Sequence, residues 1–357
     1  MKLKRFFQVF AILAIVLTIF PFLAADYWWI RIFDFPHVQL TILTATAFIL
    51  YLVRFNIRKT KDYVFVVALI ACLLVQVIKI YPYTPLKDTE IKNSTITESG
   101  LRLMTTNVLQ KNNQYQKTLQ EINSLDPDIV VLDETDKKWE QSVMPNLNKD
   151  YPYHISVPLS NTYGVMLFSK LKLINPQVNY MVEDSIPSLE AKFIYRKDTI
   201  QLYSIHPTPP FPDQNLSSAD RDAEIMKIAF KARKSNYPVV VLGDFNDVAW
   251  SETTVLFRKI GRLLDLRIGR GFYNTFNANN FIMRWPLDHI FVSPEFRVKQ
   301  IKVGSDIGSD HFPAFAELTY EPDNTIIQEP GSPTKEELQN ARLQIEDEVK
   351  EDQENKE

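Results

Sequence analysis

Six short segments carry the residues most capable of chemistry: Thr106-Asn107-Val108, Leu132-Asp133-Glu134, Ser204-Ile205-His206-Pro207, Gly243-Asp244-Phe245-Asn246, Leu287-Asp288-His289-Ile290-Phe291 and Ser309-Asp310-His311-Phe312-Pro313. Each places an amide, carboxylate or imidazole directly after an apolar β-type run or at the head of the next one. Strand ends of a sheet are where polar groups from distant parts of a chain can converge. Oxygen donors mixed with histidines suit a hard divalent cation acting on a phosphate.

The elements that must position these groups follow from the pattern around them. Strands are expected at Leu101–Val108, Asp128–Leu132, Gly164–Ser169, Leu189–Tyr195, Thr199–Ile205, Tyr237–Leu242, Asp288–Val292 and Phe312–Tyr320. Helices are expected at Asn113–Leu125 and Lys137–Leu147, and from Ser217 or Ser218, as cap, to about Arg233. Short, numerous strands with interspersed helices favour an α+β chain in which two sheets pack on each other between helices, over a doubly wound sheet. If the strand continues past Asp244, Asp244 and Asn246 alternate and point the same way.

Before this domain the chain is apolar. Phe6–Ala25, Val38–Val53 and a third run from Val64 to Ile80 have about the length of spanning helices and almost no polar face. Up to Thr84 there are 9 Lys and Arg against 3 Asp and Glu. Lys2, Lys4 and Arg5 precede the first run, and Arg54, Arg58, Lys59 and Lys61 separate the second from the third. The first connection carries only Arg31. The bias puts those two basic regions in the cytoplasm and everything after Tyr81 outside, with Tyr27, Trp28, Trp29, Tyr81 and Tyr83 at the outer interface. The competing reading of the first run is a signal peptide cleaved near Leu23-Ala24-Ala25, which leaves the large domain on the same side.

Segment 82–99 is polar and reads as a linker to a domain at 100–321. From Pro322 onward 11 acidic residues face 4 basic ones, and 322–357 reads as an acidic, disordered tail with a transient helix around Lys335–Lys350. The intervening 85–321 holds 27 basic and 29 acidic residues, which lacks the basic excess of a non-specific nucleic-acid binder. The single cysteine, Cys72, lies in an apolar run, so the globular part has no disulfide, no cysteine-based zinc site and no thiol nucleophile.

Over about residues 100–320 the segments resemble the endonuclease/exonuclease/phosphatase superfamily, typified by deoxyribonuclease-I-like nucleases. Gly243-Asp244-Phe245-Asn246 and Ser309-Asp310-His311 are the most specific matches, and Gly164–Lys170 looks like the family's central strand. The resemblance implies a four-layer α/β/β/α sandwich with the site at one end of the two sheets. It implies Mg²⁺, or Mn²⁺, held by Glu134 with Asn107 and Asp310. It implies catalytic roles for His206, Asp244, Asn246, Asp288 and His311, with Asp288 and His311 a hydrogen-bonded pair and His206 facing the phosphate. Either His311 or Asp244 could take the proton of the attacking water. His289 is expected to face away.

Leu109 stands where some nuclease branches carry an acid, which argues against a two-metal or abasic-site arrangement. His206–Pro210 and Arg284–Asp288 look like a branch of bacterial membrane-anchored members. The expectation is therefore a multi-pass protein of the bacterial inner membrane whose extracytoplasmic domain hydrolyses a phosphodiester, nucleic acid or lipid or sugar phosphate, with no protein partner implied. Hydrolysis of a phospholipid or sugar-phosphate head group and a non-catalytic partner-binding domain are the alternatives.

Overall fold

A computed structural model describes residues 2–23, 27–211 and 215–354. The proposed cleavage site at Leu23-Ala24-Ala25 lies mostly outside them.

Two six-stranded mixed sheets form the centre. The first joins β1 (Leu101–Asn107), β2 (Ile129–Asp133), β3 (Tyr153–Val157), β4 (Val165–Ser169), β11 (Phe296–Val303) and β12 (Ala314–Tyr320), in the order β11-β12-β1-β2-β4-β3. The second joins β5 (Leu173–Asn179), β6 (Ser188–Tyr195), β7 (Asp198–Ser204), β8 (Val239–Asp244), β9 (Leu264–Asp265) and β10 (Asp288–Val292), in the order β5-β6-β7-β8-β10-β9. Each sheet has one parallel pair, β1/β2 and β7/β8.

The apolar alternation within the strands sorts their side chains into two faces. Leu103, Ile129, Val131 and Leu167 meet Leu202, Val240, Leu242 and Ile290 between the sheets. On the outer face of the first sheet Met104, Val130 and Leu132 pack against Leu119 and Ile122 of α5 (Tyr115–Leu125) and Trp139 and Val143 of α6 (Lys137–Leu147). On the outer face of the second, Tyr203, Val239 and Val241 pack against Ile225 and Ala229 of α7 (Ala219–Lys234) and Phe257 and Ile260 of α8 (Glu252–Gly261). This is the expected four-layer sandwich.

Two segments differ from the sequence reading. Segment 82–99 is stitched onto the domain: Ile91 is buried in the inter-sheet core, and Glu90 pairs with Arg258 at 2.5 Å. The acidic segment after Tyr320, expected to be disordered, forms α9 (Lys335–Glu354), which lies on α7 and α8. Leu338, Ala341 and Ile345, at helical spacing, supply a narrow apolar face, and Ala341 is fully buried. Lys227–Glu348 and Lys259–Glu337 pairs flank it. Net acidity is a poor guide here because one stripe suffices for docking.

At the N-terminal end α1 (Lys2–Ile19), α3 (His37–Leu52) and α4 (Thr60–Ile80) pack together through Phe7, Ala11, Ala14, Ala47, Tyr51 and Leu69, with the single turn α2 (Trp28–Arg31) between the first two. The chain leaves the α-helical path at Phe20, one residue before Pro21, short of the expected Ala25. The stretch Thr60–Tyr83, of mean hydropathy 2.6, is long and apolar enough by itself to cross a membrane; a second span exists if Trp28–Asp34 and His37–Leu52, bent by 73°, count as one. Several polar residues of this bundle are buried inside it, where Gln76 donates to Thr18 (2.7 Å) and Thr44 (3.1 Å). Large apolar side chains such as Val9, Ile42, Ile49, Val64 and Ile78 point outward and are exposed. Of the aromatics expected at the outer interface, Tyr83 is instead buried under the domain, stacked edge-on to Trp250 and donating to the Ala249 carbonyl at 2.5 Å.

Candidate active site

The two parallel pairs end at the same edge of the sandwich, where antiparallel β10 begins beside β8, and the strand registers align the functional residues. Asn107 lies opposite Asp133 on β1/β2, and Asp244 opposite Asp288 on β8/β10. The Asp244 amide donates to Asp133 at 3.4 Å, across the gap between the sheets. Glu134 follows β2 in the left-handed region, φ 61°, which swings its carboxylate off the strand line. Gly243 has φ 140°, and a Cβ there would sit 2.1 Å from the Ile205 carbonyl, so the approach of β8 to the chain before His206 needs glycine.

Asn107 is the hub. Its Nδ2 donates to Glu134 Oε1 at 2.8 Å and to Asp244 Oδ2 at 3.1 Å. Its Oδ1 accepts from the Leu109 amide, and its carbonyl accepts from Ser309 Oγ at 2.8 Å. Ser309 Oγ in turn accepts from the His311 amide, which fixes the loop that presents Asp310 and His311. His311 Nδ1 lies 2.8 Å from Asp288 Oδ2, and its Nε2 lies 3.6 Å from Asp244 Oδ2. His206 Nε2 reaches the same Asp244 oxygen at 3.8 Å. These residues, separated by up to about two hundred positions, therefore share one constellation.

The electrostatics follow from burial. Burial works against a charged His311, but the Asp288 and Asp244 carboxylates outweigh it and raise its pKa to about 10. Burial would raise Asp244, but His311, His206 and the Asn107 amide hold it below the usual carboxylate range. Burial pushes Asp288 up against the pull of His311, so this pair keeps one proton between them at neutral pH. Asp133, buried and facing Asp244 and Asp288, is pushed well up.

Asn246 reaches the site by a route other than strand alternation. β8 stops at Asp244, and Asn246 has φ 50°. Its amide donates to Asp244 Oδ1 at 3.0 Å, and its side chain donates to the Pro207 carbonyl at 2.9 Å. His289 points to the opposite side of β10, its ring nitrogens meeting Arg267 (2.5 Å) and the Asp247 carbonyl (2.8 Å).

A cavity of about 490 Å³ opens in front of this constellation, and Asn107, Glu134, His206, Asn246, Asp310 and His311 all line it. Glu134 accepts Asn107 on one oxygen and the Gln110 amide, at 3.1 Å, on the other, leaving lone pairs for the cavity. Glu134, Asp310 and Asn107 all line the cavity, and their carboxylate and amide oxygens are hard donors of the type a hard divalent cation takes. Asp244, Asp288 and His311 also offer ligand atoms within 4.8 Å of one another, but there the imidazole proton already serves as counter-charge.

Sequence reasoning assigned no role to Asp133, Ser309, Tyr163 or Thr275. Thr275 Oγ1 accepts from the Asp288 amide at 3.2 Å, and the Tyr163 ring lies 5.3 Å from the His206 ring. Asp133 and Ser309 stand inside the quoted segments, so the signal existed. Thr275 and Tyr163 carried none.

The family model described as Endonuclease/Exonuclease/phosphatase family matches residues 104–311. No curated protein matches the chain. Among solved structures, TDP2 of D. rerio complexed with single strand DNA product is similar at 15% identity, covering 62% of this chain and 100% of that one, with a TM-score of 0.53. The endonuclease/exonuclease/phosphatase from Beutenbergia cavernae is similar at 16% identity, 63% and 72% coverage and a TM-score of 0.50. The one from Bacteroides vulgatus is similar at 19% identity, 63% and 100% coverage and a TM-score of 0.50. At these identities the structures speak for the fold alone.

Proposed function

The chain belongs to the endonuclease/exonuclease/phosphatase family, and from that premise we propose that it is a membrane-anchored, extracytoplasmic, metal-dependent hydrolase of phosphoesters. The observation that carries the reading is the Asn107 side chain joining Glu134 of one sheet to Asp244 of the other. It ties an oxygen-rich pole to a carboxylate flanked by two imidazoles.

Glu134, Asn107 and Asp310 would hold Mg²⁺ or Mn²⁺, which would supply Lewis acidity to a phosphoryl oxygen and the departing oxygen. His311 carries a proton at neutral pH, so it acts as a donor: its Nε2–H offers positive charge to a phosphoryl oxygen as negative charge grows there. Asp244, held ionised, is the remaining acceptor and takes the proton of the attacking water. Asp288 fixes the tautomer and orientation of His311. His206 and Asn246 line the same cavity and orient the phosphate.

Anchoring is supported by the many large apolar side chains that the N-terminal bundle exposes while Thr18, Thr44 and Gln76 are buried within it, as expected for helices solvated by lipid. Lys4 pairs with Asp62, and Tyr51 donates to Asp62 at 3.1 Å, which gathers the basic segments at one end of the bundle. The catalytic domain is joined at the other. The positive-inside bias then favours three spans with the domain outside. A non-catalytic domain remains the competing class; the completeness of the constellation argues against it.

The test is turnover of bis-p-nitrophenyl phosphate by the full chain in detergent, with Mg²⁺ and with EDTA. Metal-dependent release supports the reading, and no release in either condition sinks it. Protease added to spheroplasts should digest the domain; protection until the membrane is opened would reverse the orientation.

A further inference from the structure

The cavity has two kinds of wall. Its floor is the polar constellation. Its sides also carry Thr162, Asn277 and Asn280 but are mostly apolar, from segments far apart in the chain: Ile32 and Phe35 from the stretch between α1 and α3, Phe211 beyond His206, and Phe276, Met283 and Trp285 before β10. Ile32 and Phe35 lie outside the part of the chain that matches the family. An aromatic series runs from the membrane-side segment to the catalytic imidazole. Phe35 meets Trp285 edge-on at 5.7 Å, Trp285 stacks on Phe276 at 6.2 Å, and Phe276 lies 4.9 Å from His311.

The rim continues this character. Phe281 is 91% exposed and Ile282 69%. Their loop rests on the start of α3, where Gln39 Nε2 donates to the Ile282 carbonyl at 2.6 Å. That is the end of the helical bundle on which the catalytic domain sits. Ile32, Trp29 and Tyr27 extend the exposed apolar surface toward the bundle.

From this continuity we infer that the site takes a phosphoester bearing an apolar chain, drawn from the bilayer, with the chain lying against Ile32, Phe35, Trp285 and Met283. The inference rests on the hydrolase reading above. It makes the segment between the first two helices a specificity wall of the active site as well as a tether. Aromatic walls can also stack nucleobases. A nucleic-acid backbone, however, needs cations along its path, and no Lys or Arg lines the cavity among the described residues. An alkyl chain gains from such a wall in proportion to the apolar area it buries.

The test compares three substrates with one leaving group: the p-nitrophenyl esters of methyl, hexadecyl and thymidine 5′-phosphate, hydrolysed by the full chain in detergent micelles with Mg²⁺. The hexadecyl ester should exceed the methyl ester in kcat/KM by on the order of tenfold or more. Phe35→Ser should cut that ratio by roughly tenfold, chiefly through KM of the long-chain ester. Met283→Ser, at a partly exposed lining residue, should cut it in the same direction and decides the matter if Phe35→Ser fails to fold. A ratio unchanged in the folded variants overturns the inference. So does a thymidyl preference that Phe35→Ser abolishes, which would assign the wall to a base. If none of the esters is hydrolysed, the hydrolase reading falls, and calorimetric titration with decyl methyl phosphate still judges the wall. Weaker binding by both variants supports it, and equal binding overturns it.

Discussion

The first and second sheets reach the site with differently paired strands at one edge, parallel β1/β2 in the first and antiparallel β8/β10 in the second, and they deliver different chemistry. β1 and β2 of the first sheet present Asn107 and Glu134, and Glu134 opens onto the cavity with lone pairs to spare. β8 and β10 of the second present Asp244 and Asp288, both buried and both facing imidazoles. A carboxylate at a cavity wall can wait for a cation. One packed behind that wall, beside imidazoles, needs its counter-charge built in, because an isolated buried charge is costly. The two poles are thus set by depth as much as by residue type, and His311, just before β12 of the first sheet, closes the contact by pairing with the second.

The largest effect is expected on the second sheet. Asp244→Asn removes the proton acceptor and the charge that both histidines face, and should lower kcat by on the order of 10³-fold or more. Added Mg²⁺ should recover none of it. Recovery by metal would move Asp244 to the metal pole and erase the contrast between the sheets.

Glu134→Ala should cost about 10²-fold or more, with partial recovery at high Mg²⁺, since a ligand is lost while the proton acceptor stays. A metal titration of variant and native protein reads this directly. Native turnover that persists in EDTA would remove the metal pole altogether.

The Asp288–His311 pair sharpens the claim that the sheets meet there. Asp288→Asn and His311→Ala should each slow turnover by roughly 10²-fold, and the double variant should be little worse than either. Multiplying losses would separate the two and leave His311 acting alone.

His289→Ala should have the smallest effect on rate. Its ring serves Arg267 and Asp247 on the far side of β10, so the variant should unfold about 1–3 kcal/mol more easily, read by denaturant titration, at nearly native kcat. A rate loss matching that of His311→Ala would place His289 in the site.

Much of this was legible because short polar motifs behind apolar runs mark strand ends, so Asn107, Glu134, Asp244, Asp288 and His311 could be assigned to one edge. The family resemblance then supplied the layer order. Other parts were silent for physical reasons. β5 reads Leu-Ile-Asn-Pro-Gln-Val-Asn and is largely exposed, so it shows no apolar alternation. α9 hides one apolar stripe in an acidic segment. Asn246 was expected at the site on a strand geometry the chain does not adopt.

What the sequence by itself determined is the supply of groups: oxygen donors, imidazoles, a glycine where the backbone must pass close to its neighbour, and helices whose outward faces are apolar. Tertiary structure alone decided which groups are neighbours and how they are charged. Asn107 meets Asp244 across 137 positions, and Phe35 meets Trp285 across 250, because sheet pairing and helix docking set those distances. His311 holds its proton because burial removes the water that would otherwise screen Asp288 and Asp244 from it. Local pattern can specify a strand end; only the packing of one strand end against another sets the field between them.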